Sequence, residues 1–110
     1  MYKTYWVYIL QCSDDSYYTG VTNNIDSRIW EHNNDTDEDH YTYSRKPVKL
    51  VYCEYNHDII QAIAREKQIK GWSRKKKEAL MNEDYAELRR LAKGRKDDSN
   101  FLARRKRNLN

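Results

Sequence analysis

Two tyrosines that flank a predicted turn are the first residues whose types and spacing could do chemistry. Tyr8 lies in the strand-like run YWVYILQ and Tyr18 in the run YYTGVT, with the turn-forming residues SDDS between them. The pattern predicts a β-hairpin. A site shared by both phenols requires Tyr8 to lie opposite Gly20 and Leu10 to lie opposite Tyr18, which is the register we expect. Tyrosine is also a common packing residue in strands, so either phenol alone has a simpler interpretation.

A carboxylate on an apolar helix face is the second candidate. Residues 58–70 have the period of an amphipathic helix, with Asp58 and Gln61 as a capping-box-like pair at its start. The apolar side chains that share one face, at 100° per residue, are Ile59, Ala62, Ile63 and Ile69. Glu66 falls in the middle of this face, where a carboxylate is costly unless it is paired, hydrogen-bonded or bound to a metal. A structural ion pair is the alternative interpretation.

An arginine and a histidine occupy one side of an earlier helix, predicted over residues 25–33 after the N-cap residue Asn24. Arg28 and His32 are i, i+4 neighbours and should lie at the rim of the core. Capping, or an aliphatic stem that lies along the core, would also explain such residues.

These residue types together fit the hydrolysis of a phosphodiester bond. A carboxylate can hold a divalent cation that offsets charge on the phosphate and the leaving oxygen. An arginine can stabilise the developing negative charge. A phenol or a histidine can take a proton from the attacking water, although a phenol with a pKa of about 10 must be helped by nearby cations.

The remaining elements place these residues on a small α+β domain. We expect a third strand over residues 48–55, central in the sheet because it is apolar on both faces, and helices over about 74–81 and 83–93. Residues 33–46 are predicted to form an acidic loop. The order is β-β-α-β-α-α with an extra C-terminal helix, so that helices flank a small antiparallel sheet. Residues 1–93 form the predicted domain.

Charge and composition bound the function further. Residues 93–110 hold seven Lys or Arg against two Asp or Glu, a surplus of five within a chain of net charge +4. A basic and mobile tail over residues 94–110 favours a polyanionic partner, usually nucleic acid. No apolar run approaches the roughly 20 residues of a membrane span, and the first residues do not resemble a secretory signal. We therefore expect a cytoplasmic protein with no membrane partner, in which both cysteines are reduced and packed.

Four blocks of sequence resemble the GIY-YIG nuclease superfamily, and in particular its small stand-alone branch, which is similar to the N-terminal domain of the excision-repair incision subunit. They are WVYILQC, YYTGVTNNIDSRIWEHN, RKPVKLVYCE and AIAREKQIKGWSRKKKEAL, in that order. The resemblance implies a three-stranded antiparallel sheet flanked by helices. It also implies a nuclease that uses one divalent metal, Mg²⁺ or Mn²⁺.

The resemblance also implies a role for individual residues. Tyr8 and Tyr18 correspond to the tyrosines of the first and second motifs, and either could be the general base. Arg28 corresponds to the catalytic arginine, and Glu66 to the metal-binding glutamate. His32 lies where several relatives carry a histidine. The glycine that brings the backbone close to the site is Gly20.

The chain departs from the family pattern at several places. Trp6 and Thr19 replace a glycine and an isoleucine of the motifs, and the loop 34–39 is acidic where relatives of this branch often carry Gly and Lys. Larger members have a separate DNA-binding domain, for which we expect no room here. Phosphate contacts would come from the tail and from a basic set of side chains: Lys70, Arg74, Lys75, Lys76 and Lys77. Such contacts would make binding strongly dependent on salt.

The sequence therefore predicts a metal-dependent endonuclease or nickase that acts on DNA rather than RNA, with structured or damaged DNA as candidate substrates. A nucleic-acid-binding module with little activity alone is the alternative, and a partner protein could then supply the DNA-binding domain. A protein-interaction domain with no role at nucleic acid is a third and weaker hypothesis.

Overall fold

An antiparallel sheet of three strands in the order β2-β1-β3 is the framework of the protein, whose computed structural model describes residues 3–93. The strands are β1 (Tyr5–Gln11), β2 (Tyr17–Thr22) and β3 (Lys49–Asn56). The helices are α1 (Ile25–Asn33), α2 (Ile59–Lys70), α3 (Arg74–Met81) and α4 (Tyr85–Lys93), with a short 3-10 helix at Tyr43–Arg45. The predicted α+β class and order of elements are confirmed, and the 3-10 helix was not predicted.

The register of the hairpin is the one that a shared site requires. Tyr8 lies opposite Gly20 and Leu10 lies opposite Tyr18. The odd-length loop 12–16 closes through a backbone hydrogen bond of 2.8 Å from the Cys12 N–H to the Ser16 carbonyl oxygen. Both phenols therefore project from the same face of the sheet, because opposed residues of an antiparallel pair share a face.

The prediction that the third strand is central is wrong. Among the described strands, β3 pairs with β1 alone and forms an edge of the sheet, while β1 is the central strand. Leu50, Cys53 and Tyr55 are exposed, so one face of β3 is left largely uncovered. The apolar run therefore does not mark burial on both faces. Both cysteines are free, as expected, but only Cys12 is buried.

Helix α2 covers the face of the sheet opposite to the phenols. Glu54 lies opposite Val7, and its carboxylate accepts a hydrogen bond of 3.0 Å from Nε of Arg65 on α2. Ala62 and Ile69 of the same helix are fully buried. Successive strand residues alternate between faces, so Tyr8, the neighbour of Val7, points away from α2.

Helix α1 covers the face that carries the phenols. The buried cluster of Tyr8, Leu10, Cys12 and Val48 packs against the half-buried side chains of Tyr18, Ile25 and Ile29. Asn33 fixes the end of this helix, since its side-chain amide donates to the Val48 carbonyl at 3.1 Å and its amide oxygen accepts from the Val48 N–H at 2.8 Å. The helix that carries Arg28 and His32 is therefore held close to the start of β3.

Most of the predicted helix ends are confirmed by their caps. The side chains of Asn24, Asp58 and Ser73 accept from the backbone N–H of Ser27, Ile60 and Lys76, and Gly71 is the C-cap of α2. The predicted capping box at the start of α2 is wrong in its second half. Gln61 instead accepts from the side-chain amide of Asn56, whose oxygen in turn accepts from the Asp58 N–H.

The predicted apolar face of α2 is shifted in the structure. Ile59 and Ile63 are both 38% exposed, whereas Ala62 and Ile69 are buried. The face that meets the sheet is thus centred on Ala62, Arg65 and Ile69, and the ion pair from Arg65 to Glu54 lies on this face.

The chain divides into two compact units, one that runs to Gly71 and one that begins at Trp72. In the second unit α3 packs against α4, and Leu80, Leu88 and Ala92 are buried. A shared apolar face of Tyr85, Leu88 and Leu91 is what the spacing in this helix predicts, but Tyr85 is exposed. The predicted basic tail over residues 94–110 lies outside the described residues, so the boundary of the domain at residue 93 stays a prediction.

Candidate active site

The two phenols form the centre of the candidate site. Their ring centroids lie 6.4 Å apart, and Tyr8 is only 1% exposed whereas Tyr18 is half-buried. Gly20 makes room for the inner phenol, because a Cβ at that position would lie 2.4 Å from the Tyr8 hydroxyl oxygen. The close approach of the Tyr8 ring to the backbone of β2 is therefore the reason that only glycine fits here.

His32 links the inner phenol to the loop that follows α1. Its Nε2 lies 3.0 Å from the Tyr8 hydroxyl oxygen, and its Nδ1 lies 2.9 Å from Oγ1 of Thr42, a fully buried residue. The ring also makes an edge contact with Tyr18 at 5.0 Å between centroids. Both ring nitrogens are thus engaged, and a neutral imidazole needs one donor and one acceptor for such an arrangement.

Burial sets the protonation of both groups. Burial, and next the electrostatic coupling to the neighbouring Tyr18, raise the pKa of Tyr8 to about 12, while the positive charge of Arg28 opposes this rise. Burial, and then the charge of Arg28, hold the pKa of His32 below its ordinary value of 6.5. The inner phenol therefore keeps its proton, and the imidazole is neutral near neutral pH.

Arg28 completes the group on this face of the sheet. Its charge acts on both Tyr8 and His32, and its Nε pairs with the Glu31 carboxylate one turn along α1, at 3.2 Å. Both side chains are more than a third exposed, so the ion pair contributes little to stability. Another anion can therefore replace the Glu31 carboxylate as the partner of Arg28. We refer to Tyr8, Tyr18, Arg28 and His32 as the phenol cluster.

The loop between α1 and β3 supplies site residues that the sequence analysis missed. Tyr41 stacks on Tyr18 at 5.9 Å between ring centroids, and Thr42 binds His32. Arg45 fixes this segment, because its guanidinium lies 3.9 Å from the Tyr41 ring centroid and its Nε donates to Asp14 at 3.1 Å. No periodicity marks these residues, although Arg45 opens one of the four blocks that resemble the family.

The acidic part of this loop is partly neutralised by its own histidine. His40 contacts the Asp35 carboxylate at 2.6 Å and the Asp37 carboxylate at 3.3 Å. The hydrogen bond to Asp35, and then the charges of both carboxylates, raise the pKa of His40 above 6.5. An acidic loop should repel a strand of phosphates. This repulsion is reduced when His40 is protonated.

Glu66 is semi-buried, as predicted, but it lies on α2, the helix that covers the opposite face of the sheet. Its side chain is 14% exposed, and its carboxylate lies 3.7 Å from Nζ of the well-exposed Lys70. Among the described residues, no hydrogen bond, ion pair or ring contact joins Glu66 to the phenol cluster. The structure thus brings together four of the five predicted catalytic residues, and the fifth stands apart from them.

A divalent metal would find few protein ligands in this part of the chain. Over residues 3–93, no three His, Cys, Asp or Glu side chains are grouped so that they could hold a metal ion. Mg²⁺ is often bound through only one or two carboxylates and several waters. Glu66, a semi-buried carboxylate whose one ion pair is long, fits that kind of site and not a cage of protein ligands.

One of the predicted phosphate-binding side chains is not available. Lys76 is 2% exposed, and its Nζ lies 4.5 Å from the centroid of the Trp72 ring. The reason is its position on α3, where it shares the buried face with Ala79 and Leu80 at i+3 and i+4. The prediction for Lys76 is therefore wrong. The other four residues of the predicted phosphate-binding set have exposed or half-buried side chains: Lys70, Arg74, Lys75 and Lys77.

Comparison with known proteins identifies the class to which this fold and site belong. A family model of the GIY-YIG catalytic domain matches residues 4–79, and the chain therefore belongs to the GIY-YIG family. The match contains the whole phenol cluster and Glu66. The resemblance found in the sequence is thereby confirmed.

The relatives are small proteins of the UPF0213 group. The chain is 46% identical over 84 residues to a UPF0213 protein of Syntrophus aciditrophicus, covering 76% of this chain and 95% of that protein. A UPF0213 protein of Clostridium perfringens is 47% identical over 77 residues, covering 70% and 82%. The solution NMR structure of an E. faecalis protein aligns with a TM-score of 0.54 and 28% identity, over 78% of this chain and 93% of that one.

The helices of the described part, residues 3–93, are too short and too polar for any of them to cross a bilayer.

Proposed function

We propose that the protein is a metal-dependent endonuclease that hydrolyses phosphodiester bonds in nucleic acid, in DNA rather than RNA. The observation that carries the proposal is the contact of Tyr8, Tyr18 and His32 beside Arg28, within a domain of a nuclease family. Structured or damaged DNA is the candidate substrate. We also propose that the protein acts in the cytoplasm.

Arg28 is assigned to the charge that develops on the phosphate. Its present partner, Glu31, is on the surface and holds it through a single ion pair of 3.2 Å. A phosphate offers a guanidinium two oxygens in a fitting geometry, so it can displace this carboxylate. Arg28 then stabilises the transition state more than the ground state as charge accumulates.

Tyr18, rather than Tyr8, is assigned to the attacking water. Tyr8 is buried and its pKa is about 12, which makes it a poor acceptor of a proton at neutral pH. Tyr18 is half-buried and contacts the neutral ring of His32. Tyr8 instead orients His32 through its hydroxyl, and the ring of His32 positions Tyr18 through their edge contact.

Glu66 is assigned to the metal. When bound, Mg²⁺ or Mn²⁺ supplies positive charge to the phosphate and to the leaving oxygen. The protein's contribution is a carboxylate that burial on α2 holds in place and that Lys70 leaves largely free, at 3.7 Å. Lys70 and the exposed cations of α3, Arg74 and Lys75, are assigned to phosphates away from the cut.

A binding module without efficient cutting is the second candidate function. The observation in its favour is that Glu66 has no described contact with the phenol cluster, and that no three potential ligands are grouped over residues 3–93. In that case the chain would bind nucleic acid through Arg28 and its lysines, and a partner protein would supply what cutting requires.

Nicking of supercoiled plasmid DNA tests the proposal. We expect the wild-type protein to nick the plasmid with Mg²⁺ or Mn²⁺ and not with EDTA. Arg28→Ala, Tyr18→Phe and Glu66→Gln should each lower the rate by about a hundredfold or more, in line with the loss of one electrostatic or acid–base contribution. Ile60→Thr, an exposed position on α2, is the control that should keep the rate.

Nicking that survives Glu66→Gln would contradict the assignment of the metal ligand. No nicking by the wild-type protein, together with salt-dependent binding of DNA, would favour the binding module.

A further inference from the structure

Two aromatic rings extend the face of the sheet that carries Tyr8 toward the edge strand β3. Trp6 and Tyr55 lie directly opposite each other in the register, with ring centroids 5.8 Å apart and planes at 64°. The ring of His57 lies 5.5 Å from that of Tyr55. We call Trp6, Tyr55 and His57 the aromatic surface. Tyr55 is 63% exposed, although it is one of the largest side chains of the sheet.

The aromatic surface is continuous with the phenol cluster. Trp6 and Tyr8 are two residues apart on β1, so their side chains share a face and are separated by roughly 7 Å along the strand. Tyr55 adjoins Cys53 on this face of β3, and Cys53 lies opposite Tyr8. Both Cys53 and Tyr55 are exposed, because Ile25 and Ile29 of α1 cover only the part of the face around Tyr8 and Leu10.

Packing explains only part of this arrangement. A cross-strand aromatic pair stabilises a sheet, and this accounts for the contact of the Trp6 edge with Tyr55. It does not account for a tyrosine ring that is largely exposed to water next to the site. Within residues 3–71, no helix covers this face of β3 at Tyr55. An exposed aromatic beside a cluster of binding residues is more informative than an exposed aliphatic residue.

We propose that the aromatic surface stacks an unpaired base of the nucleic-acid strand that is cut at the phenol cluster. This inference rests on the proposed function and names its substrate class: single-stranded nucleic acid, or a structure with unpaired bases beside the cut. Bases within a duplex already stack on each other and do not offer a free face. Aromatic side chains on a sheet bind splayed bases in this way in other proteins, with little dependence on sequence.

The charge around the aromatic surface fits a strand of phosphates better than a second copy of this chain. The main chain at Lys3 reaches this end of the sheet, since its carbonyl oxygen lies 3.1 Å from Nδ1 of His57. Arg28 adds positive charge at the phenol cluster. A phosphate strand that runs from the aromatic surface to the phenol cluster would meet the Arg28 cation, whereas two copies paired through this face would bring two Arg28 cations to one interface.

Binding of labelled oligonucleotides in EDTA tests the inference without any cutting. Fluorescence anisotropy would compare a single strand with a duplex of the same length, for the wild type, Tyr55→Thr and Tyr55→Phe. Threonine keeps the β propensity of the edge strand and removes the ring, while phenylalanine keeps the ring. Trp30→Ala, which removes an exposed ring on α1, is the matched control.

We expect the wild type to bind the single strand more tightly than the duplex. Tyr55→Thr should weaken binding of the single strand between about fivefold and about a hundredfold, the range for one stacked base, and should change binding of the duplex less than twofold. Tyr55→Phe and Trp30→Ala should bind as the wild type does. Thermal unfolding followed by circular dichroism would verify that each variant is folded.

Two results would overturn the inference. One is a Tyr55→Thr protein that binds the single strand as tightly as the wild type. The other is a wild-type dimer in sedimentation that Tyr55→Thr dissociates, with binding unchanged, which would make the aromatic surface an interface between copies. Failure of the endonuclease proposal is distinguishable, because it would appear as absent nicking while the effect of Tyr55→Thr on binding in EDTA remains.

Discussion

Thr42 is the residue that holds the imidazole of His32 in place, although it touches no substrate in the proposed reaction. Tyr8 keeps its proton and His32 is neutral, so the arrangement that suits both contacts has the Tyr8 hydroxyl donating to Nε2 and the Nδ1–H donating to Thr42 Oγ1. Thr42 is then a positioning residue that fixes the tautomer of His32.

Replacement of Thr42 by valine should therefore disturb His32 without changing the volume of the core. Loss of the acceptor leaves Nδ1 of His32 without a partner, which should lower the free energy of unfolding by about 1–3 kcal/mol and the nicking rate by about tenfold. ¹⁵N chemical shifts of His32 would report the tautomer directly. Thr42→Ser keeps the hydroxyl and should restore both the shifts and the rate, and a serine variant as impaired as valine would contradict this role.

Two histidines should titrate on opposite sides of the ordinary histidine pKa of 6.5. Burial and Arg28 lower the pKa of His32, whereas Asp35 and Asp37 raise that of His40. An NMR titration of the ring protons should place the midpoint of His32 below 6.5 and that of His40 above it. Asp35→Asn should lower the midpoint of His40, for which Asp35 is the main cause of the shift, and should lower that of His32 by less. A His32 midpoint above that of His40 in the wild type would contradict these assignments.

The same shifts fix how stability depends on pH. Because the unfolded chain binds a proton at His32 more readily than the folded chain does, this histidine contributes its full stability above pH 6.5 and loses it as the pH falls. His40 has the opposite sign, since its contribution is present below 6.5 and is lost as the pH rises. In an Asp35→Asn background, where the His40 shift is reduced, the melting temperature should decrease as the pH falls below 6.5.

Among individual residues, the sequence identified those that belong to a family motif or to a helical repeat of apolar residues. Tyr8, Tyr18, Arg28 and His32 were predicted and lie together. Thr42 could not be predicted, because a threonine in a loop without periodicity becomes important only when the fold brings it to a histidine ten residues away.

At the scale of the secondary-structure elements, the hairpin depends on Gly20. Substitution by alanine would place a Cβ 2.4 Å from the Tyr8 hydroxyl oxygen, and the Tyr8 ring is too well packed to move away. We expect Gly20→Ala to lower the free energy of unfolding by about 1–3 kcal/mol and to break the hydrogen bond from Tyr8 to His32. Chemical denaturation and the His32 NMR signals would measure the two effects.

Gly71→Ala is the matched control for this prediction. Its Cβ would find only ordinary contacts at 3.6 Å or more, and its φ of −81° suits any residue. Alanine there should be neutral or stabilise by up to about 1 kcal/mol, because it restricts the unfolded chain. Equal destabilisation by both substitutions would show that the close approach of Tyr8 to Gly20 is not the cause.

The elements were predictable where local sequence determines them. The hairpin register and the caps of α1, α2 and α3 follow from local residues, and they are confirmed. The position of β3 at the edge, and the choice of the α2 face that meets the sheet, depend on contacts between elements that are distant in the sequence. A short apolar run has the same sequence pattern in a central strand and in an edge strand. Periodicity therefore could not predict the position of β3 in the sheet.

At the scale of the whole molecule, the basic residues of α3 should separate into structural and binding groups. Lys76 is buried over Trp72, while its neighbour Lys75 is exposed. Lys76→Ala should lower the melting temperature and Lys75→Ala should leave it within about 1 °C, as for most surface substitutions. Lys75→Ala should instead weaken DNA binding and lower the slope of log K against log salt by about 1.

A folded Lys76→Ala protein that loses as much DNA affinity as Lys75→Ala would contradict this division. The sequence could not reveal this division between Lys75 and Lys76. A run of four cations on a helix indicates a solvated face, and only the fold shows that Lys76 packs on Trp72.

The family could be predicted from motifs spread over most of the chain. The sequence could not show whether Glu66 and the phenol cluster form a single metal-dependent site. Four ordered blocks were enough to indicate a GIY-YIG domain, which the family match over residues 4–79 confirms. Glu66 lies on α2, which covers the face of the sheet opposite to the phenol cluster, so its place in the sequence does not reveal whether it acts together with that cluster. Neither the order of residues nor the contacts of Glu66 with Lys70 determine this.

The central claim is that Glu66 and the phenol cluster act as one metal-dependent centre. Paramagnetic broadening of NMR signals by low concentrations of Mn²⁺ tests it most directly. We expect Mn²⁺ to broaden the signals of Glu66 and also the ring signals of Tyr18 and His32, and Glu66→Gln to abolish all of these effects. Broadening confined to Glu66 and its helix, or broadening of His32 that survives Glu66→Gln, would contradict it.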